Sequence, residues 1–207
     1  MNLANKLTIT RICLVPFFIL FMELHSFWCS IFALAVFSIA SFTDFLDGRI
    51  ARRSNTITSL GIFLDPLADK LLISAAFICF VDIDVLGIPA WMVIAIISRE
   101  FLITGLRSIA AAKNIIIPAD KAGKFKTTSQ IVVIILVILI LIIQEYFLKY
   151  FGISPQLIAV FDNGAYNTLA LILQKTPFWA TLLATLLTIY SGINYMWKHS
   201  GLLKENA

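Results

Sequence analysis

The chain has 207 residues, of which 60% are hydrophobic and only 14% are charged, whereas soluble domains carry about 25% charged residues. This composition excludes an ordinary soluble fold, and it leaves too few polar residues for a separate soluble domain or a nucleic-acid-binding module. The net charge of +4 comes from 16 basic and 12 acidic residues, whose distribution matters because Lys and Arg orient membrane segments. We therefore expect residues 1–207 to form a single membrane-embedded domain.

Apolar runs bounded by charged or turn residues predict an all-α protein with six transmembrane helices. The predicted spans are residues 7–25, 26–48, 58–81, 86–111, 127–148 and 177–198. The charge-free part of the first span is short, so its first turns are expected in the interface, with Arg11 reaching outward. The long connection 149–176 is expected to include a helix on the membrane surface around Leu169 to Leu173.

Basic residues are distributed unequally between the two sides of this six-span arrangement. Both termini and the connections 49–57 and 112–126 share one side, which carries twelve Lys and Arg residues, whereas the other side carries only Lys149 and Lys175. An excess of Lys and Arg is typical of cytoplasmic segments. We therefore expect a multi-pass protein of the cell (inner) membrane with both termini in the cytoplasm.

Four aspartates lie at the predicted cytoplasmic ends of the second and third spans; these four motif aspartates are Asp44, Asp47, Asp65 and Asp69. Spacings of three and four residues put each pair on one face of its helix. A charge at the centre of a membrane helix costs about 2.5 to 3.5 kcal/mol, so a positive partner is expected. Oxygen ligands without His or Cys favour two Mg²⁺ or Mn²⁺ ions. The alternative is a set of ion pairs with neighbouring Arg and Lys side chains.

A second polar set lies in and after the fourth span. Arg99 and Arg107 are eight residues apart, roughly on one side of a helix, and Lys124 and Lys126 precede the fifth span. Such a set suits an acceptor that carries phosphate, because Arg and Lys bind phosphate oxygens strongly. The alternative is ordinary cytoplasmic positive charge, with Glu100 offsetting one arginine. If these groups bind phosphate, the site faces the cytoplasm.

The first set of residues forms a specific pattern, Asp44-Phe-Leu-Asp47-Gly48-Arg-Ile-Ala51-Arg52, eight further residues, and then Gly61-x-x-x-Asp65-x-x-x-Asp69. It resembles the signature of the CDP-alcohol phosphotransferase family. The resemblance implies a six-helix membrane enzyme, commonly a homodimer, that transfers a phosphatidyl group from a CDP-lipid to an alcohol and releases CMP. It implies that the four motif aspartates bind the metal ions and that Asp69 is also the general base. The residues that it implies for the CDP-lipid site are Gly48, Ala51, Arg52 and Gly61.

The second set resembles one branch of that family, the phosphatidylglycerophosphate synthases. The matching segments are Arg99-Glu-x-x-x-x-Gly-Leu-Arg107, Gly123-Lys124-x-Lys126-Thr, Asn5-x-Leu-Thr8-x-x-Arg11 and Ser191-Gly-Ile-Asn-Tyr195. This resemblance implies CDP-diacylglycerol as donor and sn-glycerol 3-phosphate as acceptor. It adds Asn5 and Thr8 to the CDP-lipid site and assigns the acceptor phosphate to Arg99, Arg107, Lys124 and Lys126.

Two alternatives remain open. Within the family, the acceptor could be phosphatidylglycerol, as in a cardiolipin synthase, or an inositol phosphate. From another class, intramembrane carboxylates occur in divalent-cation transporters, where they lie near the bilayer midplane on broken helices. The position of the motif aspartates at the ends of two spans favours the enzyme.

Overall fold

The protein is described here from a computed structural model. The description covers the backbone of residues 3–54, 59–112, 121–152 and 165–198, and the side chains of residues 6–43, 68, 70–110, 126–152, 168 and 170–198. Over these ranges the chain forms six α-helices and no strand. The helices are α1 (Leu3–Glu23), α2 (Phe27–Ser54), α3 (Ser59–Asp82), α4 (Ala90–Ala112), α5 (Lys121–Phe151) and α6 (Ala165–Lys198). The all-helical prediction is confirmed.

One helix corresponds to each predicted span, but several helices continue past the apolar run. The helix α2 continues to Ser54, and α5 begins at Lys121. Helical hydrogen bonds are local, so a helix can leave an apolar environment and continue on charged residues. Two described helices, Lys126–Phe151 and Ala170–Lys198, are long and apolar enough to cross a membrane, and Phe27–Thr43 is a shorter apolar helix.

The separate surface helix predicted around Leu169 to Leu173 is wrong. These residues belong to α6, which runs without interruption through Pro177. A proline removes one backbone donor, and the packing of neighbouring helices compensates for this in membrane bundles. The residues read as a loop therefore lengthen the last helix.

The outward orientation predicted for Arg11 is also wrong. Its exposed fraction is 3%, and that of Thr8, one turn earlier, is 1%. Residues Val15, Phe18 and Met22 continue the same buried stripe along α1, as expected for spacings of three and four. The stripe is buried because α1 packs along both α2 and α3.

The remaining packing joins the two halves of the bundle. The helix α5 packs against α2 and α6, and α4 packs against α6. Fully buried aromatic rings fill the centre, including Phe18 and Phe37 with ring centroids 5.9 Å apart and Phe77 and Phe80 at 6.2 Å. Since lipid is as apolar as these rings, close packing is expected to hold the helices together.

Aromatic residues gather where α2 begins and α5 ends. The ring centroid of Phe27 lies 5.7 Å from that of Tyr146, and the ammonium of Lys149 lies 5.5 to 5.6 Å from the rings of Phe27, Trp28 and Tyr150. Aromatic rings and cations are typical of a membrane–water interface. This end of the bundle is therefore the expected outer interface.

Candidate functional site

The four motif aspartates lie in two consecutive helices separated by residues 55–58. Asp44 and Asp47 are in the last turns of α2, and Asp65 and Asp69 are in the first half of α3. Their side chains lie outside the described residues, as do those of Asn5 in α1 and Lys124 in α5. The same holds for Gly48, Ala51, Arg52 and Gly61 of the predicted CDP-lipid site, whereas Thr8 of that site is described and is buried in α1. Their roles remain predictions.

The predicted acceptor residues of α4 are described, and both contact α6. The Nη2 of Arg99 donates a hydrogen bond of 2.9 Å to Oγ of Ser191, and its Nη1 lies 3.6 Å from Oε1 of Glu100. The aliphatic part of Arg99 packs against Gly192, where an added Cβ would lie 2.8 Å from Cγ of Arg99. The Arg99 side chain is therefore confined by α6.

Arg107, two turns further along α4, also uses α6. Its Nε donates a hydrogen bond of 3.3 Å to the hydroxyl of Tyr195, and its guanidinium carbon lies 5.5 Å from the centroid of that ring. A hydrogen bond and a cation–π contact to the same ring restrict the guanidinium more than either does alone. Arg107 is otherwise exposed, so a soluble anion can reach it.

Lys126 lies in α5, is buried, and reaches a residue of α4. Its exposed fraction is 2%, and its ammonium forms an ion pair with Glu100, whose side chain is 14% exposed. In sequence, the nearest acid is Asp120, and only the fold, in which α4 and α5 both pack on α6, reveals Glu100 as the partner. Close by, Nε2 of Gln130 donates a 3.1 Å hydrogen bond to Oγ1 of Thr188.

These contacts define a group that we call the α4–α6 cluster: Arg99, Glu100, Arg107, Lys126, Ser191 and Tyr195. The cluster contains three cations and one carboxylate, which gives a formal charge of +2. A phosphate monoester carries up to two negative charges at neutral pH. The cluster therefore has the charge and the donors to bind a phosphorylated acceptor.

The sequence interpretation gave no role to the α6 members of this cluster or to Gly192. A signal was present in the polar residues of an otherwise apolar helix, which follow spacings of three and four and all point into the bundle. These buried residues are Thr181, Thr185, Thr188, Ser191 and Tyr195. The stripe identifies the face of α6 that meets α4 and α5.

The Glu100–Lys126 ion pair gives a first prediction. We expect Glu100→Gln to lower the midpoint of thermal unfolding in detergent, because removing one partner of a buried pair costs about 3 to 5 kcal/mol. The double substitution Glu100→Gln with Lys126→Met should recover part of the lost stability, because it also removes the buried ammonium that had paired with the Glu100 carboxylate. If Glu100→Gln unfolded at the wild-type temperature, the pair would have no structural role.

A second group of possible metal ligands is present at the other end of the bundle. Ligand atoms of Glu23, His25 and Asp82 lie within 4.8 Å of one another, and all three residues are exposed. They lie where α1 and α3 end and just before α2 begins. This group is therefore distant along the helices from the motif aspartates.

Comparison with known proteins bears out the resemblance. Residues 1–190 match the CDP-alcohol phosphatidyltransferase family. The protein named CDP-diacylglycerol–glycerol-3-phosphate 3-phosphatidyltransferase in Bacillus subtilis (strain 168) is 46% identical over 143 residues, which cover 63% of this chain and 73% of the relative. The protein of the same name from Rickettsia bellii (strain RML369-C) is 40% identical over 196 residues, covering 94% and 93%. The Shigella flexneri serotype 5b (strain 8401) protein of that name is 34% identical over 179 residues, covering 84% and 92%.

The family match covers nearly all of the described helices, including both helices that carry the motif aspartates. Two of the three relatives align over more than four fifths of the chain. The chain therefore belongs to the CDP-alcohol phosphatidyltransferase family, the CDP-alcohol phosphotransferases.

Proposed function

We propose that this protein transfers the phosphatidyl group of CDP-diacylglycerol to sn-glycerol 3-phosphate, which yields phosphatidylglycerophosphate and CMP in phospholipid biosynthesis. The observation that carries the proposal is the α4–α6 cluster, whose charge of +2 complements the phosphate of such an acceptor. The names of the relatives support it, because each names glycerol 3-phosphate as acceptor. Glu100 offsets one of the three positive charges of the cluster, and an acceptor without phosphate would make no use of the remaining charge of +2.

The register of the helices supports a single site. Glu23 lies beside Asp82, so the ends of α1 and α3 are level. With a rise of about 1.5 Å per residue, this register brings Asp69 to about the level of Thr8. Phe27 contacts Tyr146, and the same rise brings Asp47 to about the level of Lys126. The aspartates and the cations of the cluster then belong to one end of the bundle.

The oxygen ligands of the four motif aspartates fit hard divalent ions. Four carboxylates on two consecutive helices supply oxygen ligands without His or Cys, the chemistry that Mg²⁺ and Mn²⁺ prefer. We propose two such ions held by the four motif aspartates. When bound, they supply neutralisation of the pyrophosphate charge of the donor.

In the proposed reaction, the hydroxyl oxygen of glycerol 3-phosphate attacks the phosphorus atom that carries the diacylglycerol. The bond between that phosphorus and the CMP oxygen breaks, CMP leaves, and the hydroxyl proton goes to the carboxylate of Asp69. Arg52 binds the pyrophosphate and stabilises the charge that develops. The CDP-lipid site includes Asn5 and Thr8, and the acceptor phosphate is held by Arg99, Arg107, Lys124 and Lys126.

One assay tests the proposed function. Purified protein is incubated with CDP-diacylglycerol, Mg²⁺ and labelled glycerol 3-phosphate, and the lipid product is identified. We expect phosphatidylglycerophosphate and an equal amount of CMP. Labelled phosphatidylglycerol and labelled inositol phosphate are supplied as acceptors in parallel reactions, and a labelled lipid from only one of these two would assign the protein to the corresponding branch of the family.

We also propose that the protein crosses the inner membrane six times with both termini and the site in the cytoplasm, and that it forms a homodimer among membrane lipids. Substitution of cysteine at Asn55 or Asn114 should then give labelling only from the cytoplasmic side, whereas cysteine at Asn163 should be labelled only from outside. Labelling of positions 55 and 163 from the same face would contradict the six-span topology. The mass of the detergent-solubilised protein tests the homodimer.

A further inference from the structure

Arg99 packs against α6 at a hydroxyl group and at a position that has no side chain. Its Nη2 donates to Oγ of Ser191 at 2.9 Å, and the next residue, Gly192, has no side chain to meet the arginine. A Cβ at position 192 would lie 2.8 Å from Cγ, 3.4 Å from Nε and 3.7 Å from Cδ of Arg99. The arginine therefore occupies the space that any other residue at this position would need.

The two contacts act on different parts of the arginine. Gly192 allows the aliphatic part to approach α6, and Ser191 then fixes one terminal nitrogen of the guanidinium. Both residues are buried, so water does not compete readily for the hydrogen bond. Together they determine both the path of the side chain and the orientation of its planar end.

We propose that Ser191 and Gly192 are positioning residues that hold the Arg99 guanidinium where it binds the phosphate of the acceptor. This rests on the proposed function, in which Arg99 contacts that phosphate. Specificity for a phosphorylated acceptor then depends on α6 as well as on α4 and α5.

The test is the substitution Gly192→Ala, with Gly105→Ala as matched control. Both add one methyl group to a helix, but at Gly105 no atom of the described residues lies within 4 Å of the added Cβ. At Gly192, Cγ of Arg99 must shift to reach an ordinary contact distance, and the loss of a charge-assisted hydrogen bond to phosphate lowers affinity about 10- to 100-fold. We expect the KM for glycerol 3-phosphate to rise about 10- to 100-fold in Gly192→Ala only. Turnover at saturating acceptor and the KM for CDP-diacylglycerol should change less than about threefold, because the phosphate is remote from the attacking hydroxyl.

A double-mutant cycle separates positioning from a general effect on folding. The substitution Arg99→Ala removes the Cγ that the new methyl group would meet, so adding Gly192→Ala to it should raise KM no further. If the two effects multiplied, or if Gly192→Ala behaved like Gly105→Ala, the inference would be wrong. If the wild type is active, either of these results would contradict the positioning role and leave the proposed function unaffected. A wild type that forms no product from glycerol 3-phosphate would contradict both the proposed function and the positioning role.

Ser191→Ala gives an independent test if Gly192→Ala does not fold. It removes the 2.9 Å hydrogen bond and introduces no steric conflict, so we expect the KM for glycerol 3-phosphate to rise about 3- to 10-fold. Ser108→Ala is its control, because Ser108 is exposed and, among the described residues, its hydroxyl donates only to the carbonyl of Thr104 in its own helix. An unchanged KM in Ser191→Ala would overturn the role of Ser191.

Discussion

Asp69→Asn is expected to abolish turnover and to leave binding of the CDP-lipid largely intact. The amide keeps the size of the carboxylate but cannot accept the proton of the attacking hydroxyl, and general-base catalysis contributes about 10²- to 10⁴-fold. Asp65→Asn should in addition weaken the affinity for the metal ion. The measurements are the rate of CMP release at saturating Mg²⁺ and the binding of CDP-diacylglycerol.

Asp82→Asn is a suitable control for this experiment. It makes the same chemical change in the same helix, but at the exposed end beside Glu23 and His25. We expect its rate to match that of the wild type. Near-normal turnover of Asp69→Asn at saturating metal would instead show that another group accepts the proton.

Arg107→Ala and Lys124→Ala are expected to lower kcat/KM for glycerol 3-phosphate about 10- to 150-fold each. Each substitution deletes charge-assisted hydrogen bonds that contribute about 1.5 to 3 kcal/mol, and about 1.36 kcal/mol corresponds to tenfold. Among the described residues, Arg107 makes its hydrogen bond only through Nε, to Tyr195, which leaves its terminal nitrogens for the acceptor phosphate. The apparent affinity for the CDP-lipid should change little, because Arg52 and the metal ions hold that substrate.

Glycerol serves as the internal control for these variants. It lacks the phosphate, so it should be a poor acceptor for the wild type and lose little more in either variant. Lys149→Ala removes a cation at the opposite end of α5 and should leave kcat/KM for both acceptors unchanged. Lys124→Arg should restore little activity in a tight pocket, because a planar guanidinium does not replace a compact ammonium. Equal losses for glycerol and glycerol 3-phosphate would show that the two residues support folding.

The helices were predictable from sequence, whereas several of their ends were not. An apolar run indicates which residues can lie in lipid, but the helix can continue beyond either end of that run. The helix α6 begins at Ala165, twelve residues before the predicted start, because Lys175 and Pro177 suggested a boundary that local hydrogen bonding does not require. The burial of the Arg11 side chain was likewise not predictable from the sequence, because it depends on the two helices that pack against α1.

For the candidate site, the sequence identified the motif residues but not the tertiary contacts of the cluster. The motif aspartates stand out because their spacing is local and can be read along two neighbouring segments. The partners of the α4 arginines are 88 and 92 residues away, and no short-range pattern connects Arg99 with Ser191. The pairing of Lys126 with Glu100 likewise depends on tertiary structure, since α4 and α5 both pack on α6.

The contribution of α6 to the α4–α6 cluster has a consequence for biogenesis. During synthesis, α4 and α5 leave the ribosome before α6, so Arg99 and Arg107 enter the membrane before Ser191 and Tyr195 exist to receive their hydrogen bonds. Helices α2 and α3, which both pack on α1, can associate with it earlier. The donor half of the proposed site is then assembled first, and the acceptor half is completed only when the segment containing residues 191–195 has been inserted.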